Sequence, residues 1–239
     1  MKIVKSKNYS VFKLKIIAIS DIHGNIGVIE KLVEALKQLG GNPDLIIIAG
    51  DITHFGGLND ALDVFKILSR IESKRLFFIP GNCDSPELEK FESDGVVFNI
   101  HMETAEYLGY TFIGLGGSSK TPFHTLYEFS EEEIGNMLEK LSLKVYDAAK
   151  LITVTHDPPY NTLIDLNKRG VHVGSRKIRD FILKKRHFIH ISGHIHEARG
   201  KDLLGGTILV NPGNASSGYY SVIEIKDWRV NVDFANVFA

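Results

Sequence analysis

Five apolar segments of this chain, each five or six residues long, end beside aspartate, asparagine or histidine. Short segments that are apolar at nearly every position are typical of strands buried on both faces of a sheet. The segments and the residues that follow them are KIIAIS before Asp21 and His23, LIIIAG before Asp51, LFFIP before Gly81 and Asn82, LITVT before His156, and FIHIS before His194 and His196. The pattern therefore predicts a largely buried sheet whose strand ends carry polar side chains.

Segments with helical periodicity separate several of these strands. The first predicted helix ends before Gly40 and Pro43, and its apolar positions recur at helical spacing: Val28, Ile29, Leu32, Val33, Leu36 and Leu39. Further helices are predicted near 58–70, 130–141 and 175–184, with a short helix from Pro86. The C-terminal segments TILVN, YYSVIEI and WRVNVDF have no helix between them, which predicts antiparallel strands. We therefore expect one α/β domain over residues 1–239, a sandwich in which antiparallel strands continue a partly parallel sheet.

Composition and charge favour a soluble, cytoplasmic protein. With a formal net charge of −1, the 239-residue chain lacks the positive excess that attracts nucleic acid or an anionic membrane. Its one cysteine, Cys83, has no internal disulfide partner, which fits a reducing compartment. The apolar run from Ile16 to Ile19 is shorter than the ~7–15 residues of a signal-peptide core. No segment approaches the ~18 apolar residues of a membrane span.

The polar strand ends predict a metal site. Ligands of open α/β sheets bind outside the carboxyl ends of the strands, so two aspartates, one asparagine and four histidines are expected to converge there. Asp21/His23 and His194/His196 are i, i+2 pairs, and in extended chain both members of a pair point to the same side. Imidazole, carboxylate and amide donors suit Mn²⁺, Fe or Zn²⁺ rather than Ca²⁺. Seven side chains exceed the needs of one ion and predict two ions that share a carboxylate.

Five short motifs occur in order between Asp21 and His196: DIH, GDIT, GNCD, THDPP and GHIH. They resemble the DxH, GDxx, GNH[DE], H and GHxH blocks of the calcineurin-like metallophosphoesterases. The resemblance implies a β-sandwich of mixed sheets flanked by helices, in αββα layers, and two divalent metal ions. We favour Mn²⁺, with Fe, Zn²⁺ or Ni²⁺ as alternatives. The implied ligands are Asp21, His23 and His196 for one ion and Asn82, His156 and His194 for the other, with Asp51 as the bridge.

The same resemblance implies a reaction and its partners. A hydroxide that bridges two ions hydrolyses a phosphate ester in line, without a covalent phospho-enzyme. We favour a phosphodiesterase acting on a small phosphorylated substrate, with no membrane or nucleic-acid partner, and leave a homo-oligomer open. The alternatives are a phosphoprotein or nucleotide phosphatase, and a non-catalytic scaffold of the same fold. The residues assigned to catalysis are Asp51, Asn82, His156 and His54.

Cys83 departs from the family pattern, since most members have histidine there, thought to help protonate the departing oxygen. A neutral thiol is a weak hydrogen-bond donor. Our hypothesis is that Cys83 is a bystander in a catalytic position, and a metal ligand or a nucleophile are the alternatives. The neighbouring Asp84 is predicted to cap the helix that begins at Pro86, in competition with Ser85. The resemblance gives the alternative that the acidic residue at this position orients its neighbour.

The remaining predictions concern the rim of the site. Asn82, His54 and Tyr160 are predicted to contact substrate, although a solvent-exposed loop histidine is the simpler interpretation of His54. Residues 157–173 form a long segment without clear periodicity and are expected to overhang the site and select the substrate. The sequence NPGN at 211–214 resembles a loop near the active site of relatives, with a plain turn as the alternative.

Overall fold

A computed structural model describes residues 13–38 and 41–239 of the chain. The strands are β1 Lys13–Ile19, β2 Leu45–Ala49, β3 Arg75–Ile79, β4 Val97–Asn99, β5 Thr104–Tyr107, β6 Tyr110–Leu115, β7 Ser118–Ser119, β8 Glu128–Phe129, β9 Leu151–Thr155, β10 Ile189–Ile191, β11 Gly200–Leu204, β12 Thr207–Asn211, β13 Tyr219–Lys226 and β14 Arg229–Asn236. The α-helices are α1 Ile26–Gln38, α2 Leu58–Leu68, α3 Glu131–Ser142 and α4 Arg176–Lys185. The predicted last residue of α1, Leu39, and the following Gly40 lie outside the described residues.

Two six-stranded mixed sheets pack face to face. The first has the order β14-β13-β1-β2-β3-β4, and the second has the order β11-β12-β10-β9-β6-β5. Alternate residues of β1 serve different layers: Leu14, Ile16 and Ala18 pack between the sheets, whereas Ile17 and Ile19 pack under α1 and α2. Helices α3 and α4 cover the outer face of the second sheet. The predicted αββα sandwich of mixed sheets is confirmed.

The C-terminal third is antiparallel as predicted except at one of the two pairings of β12. This strand runs parallel to β10, while β13 and β14 do pair antiparallel as predicted. The reason is the unpredicted strand β11, which pairs antiparallel with β12 and reverses the chain before it returns beside β10. The antiparallel strands also do not continue a single sheet, because β11 and β12 join the second sheet whereas β13 and β14 join the first.

The parallel strands bring their carboxyl ends to one edge of the sandwich. Strands β1, β2 and β3 are parallel neighbours in the first sheet, and β9 and β10 are parallel neighbours in the second. A bridge between Ser20 and Asn214 and a backbone hydrogen bond from Gly193 N to His156 O tie the loops at this edge together. Among the described residues, no helix has the length and apolar character needed to cross a membrane.

Asp84 joins the loops that follow β2 and β3. Its fully buried carboxylate accepts hydrogen bonds from the backbone N–H groups of Ile52, Thr53 and Gly81 at 2.7–3.0 Å, and from the hydroxyl of Thr53 at 2.8 Å. The prediction that Asp84 caps the following helix is therefore wrong. Ser85 is the cap, since its hydroxyl accepts from Glu87 N. Burial, followed by the charge of Asp51, raises the pKa of Asp84 to about 6 against the effect of these hydrogen bonds.

Asp84→Ala is expected to destabilise the fold by about 3–5 kcal/mol, because several buried donors lose their acceptor at a cost of about 1–3 kcal/mol each. Asp94→Ala is the matched control. Asp94 also accepts two backbone hydrogen bonds, from Val96 and Val97 at 2.8 Å, but at an exposed position where water can replace it. Urea unfolding at pH 7.5 measures both variants, and equal losses would contradict the role assigned to Asp84.

Candidate metal centre

Four of the proposed ligands have a left-handed backbone conformation. The φ angles are 58° for Asp21, 50° for His23, 50° for Asp51 and 66° for His194. Residues other than glycine adopt this region rarely, at a cost of order 1–3 kcal/mol, and such residues cluster at active sites. The assumption that Asp21/His23 and His194/His196 lie in extended chain is therefore wrong. Sharp turns at the strand ends, rather than the alternation of a strand, direct these side chains to the site.

The first group of ligand atoms comes from Asp21, His23 and His196, which lie within 4.8 Å of one another. His196 Nε2 lies 3.2 Å from Asp21 Oδ1 and 3.2 Å from His23 Nε2. Asn214 supports this group from outside, because its amide nitrogen lies 3.0 Å from His196 Nδ1. The NPGN segment, which resembles an active-site loop, thus contains a residue, Asn214, that contacts the proposed ligand His196.

The second group is centred on His156. Its Nε2 atom lies 2.9 Å from Asn82 Oδ1 and 3.4 Å from Asp51 Oδ1. The His194 ring packs edge-on against the His156 ring with 5.0 Å between centroids. The two groups meet at Asp51, whose Oδ2 atom lies 3.7 Å from His23 Nε2. All seven predicted ligands therefore lie at one place, with Asp51 between the two groups.

Hydrogen bonds to the backbone fix these ligands in place. Asp51 Oδ1 accepts from Cys83 N at 2.8 Å, and both carboxylate oxygens of Asp21 accept from His194 N at 3.1–3.2 Å. His156 Nδ1 lies 2.8 Å from Ala49 O, and since a carbonyl only accepts, Nδ1 carries a proton. This bond directs His156 Nε2 towards the site, as expected of a histidine that binds a metal.

Glycine precedes the ligand in the GN and GH motifs for a steric reason. A Cβ atom on Gly81 would overlap the carboxylate of Asp51, and one on Gly193 would overlap the side chain of Ser20 and lie 2.8 Å from Asp21 Oδ2. A larger residue at either position would displace a proposed ligand. These glycines are therefore part of the site, because the loops approach one another so closely.

Burial and charge distinguish the interior of the site from its opening. Asp21, Asp51, Asn82 and His156 are buried, whereas 39% of the His196 side chain is exposed. Burial raises the pKa of Asp51, but the charge and hydrogen bond of His156 outweigh it and hold that pKa well below its usual range. Burial alone would lower the pKa of His156, and Asp51 raises it to about 10. Each of the two groups thus favours the charged form of the other.

The residues present fit divalent metal ions. In the described ranges, 13–38 and 41–239, only histidines pair with the buried carboxylates of Asp21 and Asp51, and no lysine or arginine does so. The buried Nδ1 atom of His23 has no hydrogen-bond partner within those ranges. Carboxylate, imidazole and amide donors that face one another form the mixed N/O set that suits Mn²⁺, Fe or Zn²⁺.

Cys83 lies inside this centre rather than at its rim. Its Sγ atom, with ligand atoms of His23 and Asp51, forms a third group within 4.8 Å, and the side chain is 8% exposed. Burial, and then the negative charge of Asp51, raise the pKa of the thiol well above its ordinary value. The thiolate rather than the neutral thiol is both the nucleophile and the metal ligand, so the raised pKa favours the bystander hypothesis. The position of Sγ beside His23 and Asp51 keeps the metal-ligand hypothesis.

The structure gives different positions to the two predicted rim residues. The exposed ring of His54 lies edge-on to His23, with 5.5 Å between centroids, so His54 borders the first group. Tyr160 instead contacts Arg176, whose guanidinium lies 4.0 Å from the ring centroid, and His172. Among the described residues no hydrogen bond, ion pair or aromatic contact joins Tyr160 to the ligands, and its role in substrate binding stays a prediction.

The long segment 157–173 begins directly after the proposed ligand His156 and is also joined to a neighbour of His196. Lys168 N donates to Glu197 Oε1 at 2.7 Å, next to the proposed ligand His196. Asp165 organises the interior of the segment, since its carboxylate accepts from the backbone of Asn161 and Thr162 and pairs with His172. The substrate selection predicted for this segment stays a prediction.

Sequence reasoning missed one residue in contact with a ligand. Thr125 Oγ1 accepts a hydrogen bond from Asn82 Nδ2 at 2.9 Å, although 43 residues separate the two in the chain. A threonine in an irregular segment carries no motif or periodicity, so the sequence held no signal for it.

Comparisons with known proteins agree with this fold. The chain is 37% identical over 231 residues to MJ1162 of Methanocaldococcus jannaschii, described as an uncharacterized protein, and the match covers 94% of this chain and 98% of that protein. Its fold is similar to that of TT1561 of Thermus thermophilus, with a TM-score of 0.72, 22% identity, and coverage of 94% and 99% of the two chains. It is also similar to a dimetal phosphatase from Danio rerio, with a TM-score of 0.64, 10% identity, and coverage of 94% and 96%.

A match to a family model is more specific than these similarities. The model described as calcineurin-like phosphoesterase matches residues 14–198, a range that includes all seven proposed ligands from Asp21 to His196. The match extends over more than half of the chain. The protein therefore belongs to the calcineurin-like phosphoesterase family.

Proposed function

We propose that this protein is a dinuclear metal-dependent phosphoesterase that hydrolyses phosphodiesters in preference to phosphomonoesters. The observation that carries the proposal is the convergence of two aspartates, one asparagine and four histidines at the carboxyl ends of five strands. Asp21, His23 and His196 would hold one ion. Asn82, His156 and His194 would hold the other, and Asp51 faces both groups. Mn²⁺ is the proposed metal, and the substrate is a small phosphorylated molecule.

The chain's own residues hold the reacting groups. When bound, two divalent ions would supply Lewis-acid chemistry, by lowering the pKa of water and neutralising charge on the phosphoryl oxygens. Asp51, fixed by Cys83 N, presents its carboxylate to both ligand groups. Asn82 presents its amide oxygen beside His156. The exposed ring of His54 borders the open side of the site, where it would meet the substrate or donate a proton to the departing oxygen.

The preference for diesters rests on the resemblance of GNCD at 81–84 to the same motif in a small-protein branch of the family, which is often associated with phosphodiesterase activity. A buried thiol with a raised pKa stands where most relatives have a histidine that assists the leaving group. The alternative is a phosphoprotein or nucleotide phosphatase. A scaffold without catalysis is disfavoured, because it would not need seven converging ligands, four of which have a strained backbone conformation.

A substrate panel tests the proposal and its alternative together. Bis(nitrophenyl) phosphate, nitrophenyl phosphate, cyclic nucleotides and phosphorylated metabolites would each be assayed with Mn²⁺, Ni²⁺, Zn²⁺ and Fe²⁺. We expect metal-dependent turnover, with higher kcat/KM for diesters. Higher kcat/KM for monoesters across the panel would favour the phosphatase. Purified protein with well under one ion per chain and no gain on adding Mn²⁺ would favour the scaffold.

Asp51→Asn is expected to lower kcat/KM for the preferred ester by about 10²–10⁴-fold, since it removes several kcal/mol of charge stabilisation at both ligand groups. It should also reduce the number of ions bound. Asp63→Asn makes the same charge change on the exposed face of α2 and is the control. Wild-type turnover of Asp51→Asn at saturating Mn²⁺ would be incompatible with the dinuclear assignment.

Cys83→His is expected to raise turnover of alkyl phosphate esters far more than that of nitrophenyl esters. Alkoxides are strongly basic and depart only with a proton, and a positioned general acid contributes about 10²–10⁴-fold. Cys83→Ser should leave nitrophenyl-diester hydrolysis and metal content nearly unchanged.

Two outcomes would contradict this account of Cys83. Loss of bound metal in Cys83→Ser, with folding intact, would show that the thiol is a ligand. An equal response of both substrate classes to Cys83→His would mean that another group, with His54 as the nearest candidate, already supplies the proton.

A further inference from the structure

A threonine outside every motif holds the side-chain amide of Asn82 from the side away from His156. Asn82 Nδ2 donates to Thr125 Oγ1 at 2.9 Å, while Asn82 Oδ1 faces His156 Nε2 at 2.9 Å. Thr125 lies between β7 and β8, and Tyr127 N donates to Asn82 O at 3.1 Å. The segment between β7 and β8 thus contacts both the backbone oxygen and the side-chain amide of Asn82.

The hydroxyl of Thr125 has its own fixed direction. Glu128 Oε1 lies 2.5 Å from Thr125 Oγ1 and also accepts from Thr125 N at 2.8 Å. Partial burial raises the pKa of Glu128, but the hydrogen bonds from Thr121 and Thr125 outweigh it and lower that pKa to about 2. An ionised carboxylate only accepts hydrogen bonds, so the hydroxyl proton of Thr125 points to Glu128. The lone pairs of Thr125 Oγ1 are then left to face Asn82.

The orientation of the Thr125 hydroxyl determines the orientation of the Asn82 amide. With its nitrogen towards Thr125, Asn82 donates to a lone pair and presents its oxygen to the ligand cluster. In the flipped orientation, the amide oxygen would meet a hydroxyl whose proton is already used, and the NH₂ group would face the place where a cation is proposed. Both changes are unfavourable: the first places two acceptor oxygens next to each other, and the second places an NH₂ group next to a positive charge.

We propose that Thr125, oriented by Glu128, is a positioning residue that fixes the amide of Asn82 with its oxygen towards the metal centre. The inference rests on the proposed function, since it assigns Asn82 to a metal ion. It assigns a task to the segment between β7 and β8, which contributes no ligand of its own. Outer contacts of this kind typically change metal affinity by about 10–100-fold.

Three variants separate this role from a general loosening of the segment. Thr125→Val removes the hydroxyl and keeps the shape of the side chain, whereas Thr125→Ser keeps the hydroxyl. Thr121→Val is the matched control, because Thr121 Oγ1 also donates to Glu128 Oε1, at 2.6 Å, and Thr121 is not in hydrogen-bond contact with Asn82. The chelator-treated full chain would be titrated with Mn²⁺ by calorimetry, and thermal midpoints and kcat/KM would be measured in parallel.

We expect wild type to bind two Mn²⁺ ions and Thr125→Val to bind one of them about 10–100-fold more weakly, with the other unchanged. Thr125→Ser and Thr121→Val should bind both ions as wild type does. Wild-type affinity in Thr125→Val would overturn the inference alone, as would an equal loss in Thr121→Val. A wild-type protein with no Mn²⁺ site would overturn the proposed function and this inference together.

Discussion

The negative charges of two buried carboxylates must be compensated at one edge of the sandwich, and the construction of the site follows from that requirement. Asp21 and Asp51 are almost fully buried, and in the described part of the chain the side chains within ion-pair distance are those of the histidines His23, His156 and His196. An isolated charge in such an environment is strongly disfavoured. The imidazoles, and the backbone N–H groups of Cys83 and His194, supply the compensation. Divalent ions would neutralise the negative charge of the carboxylates.

The sandwich makes this arrangement possible by aligning strand ends from two sheets. Strands β1, β2 and β3 supply one side of the site, while β9 and β10 supply the other. Left-handed turns at Asp21, Asp51 and His194 then direct the side chains into the gap. Asp84 ties the turn at Asp51 to the loop that follows β3, so the geometry depends on a buried hydrogen-bond network as well as on the ligands.

The sequence predicted the fold class and the convergence of the ligands because both depend on short local patterns. Apolar runs report buried strands, and each motif follows such a run directly. What failed depended on contacts between distant segments. Strand β11 has no apolar run to mark it, since only alternate residues of Gly200–Leu204 are covered, and it changed the direction of β12. Asp84 looked like a local cap because the donors of Ile52 and Thr53 are about thirty residues away.

The central claim is that two metal ions bind between the two groups of ligands. Anomalous diffraction from crystals grown with Mn²⁺, recorded at the manganese edge, tests it most directly. The account predicts two peaks about 3.5–4 Å apart, one beside Asp21, His23 and His196 and one beside Asn82 and His156, with Asp51 between them. An ordered site with no anomalous peak, or with peaks remote from Asp51, would contradict it.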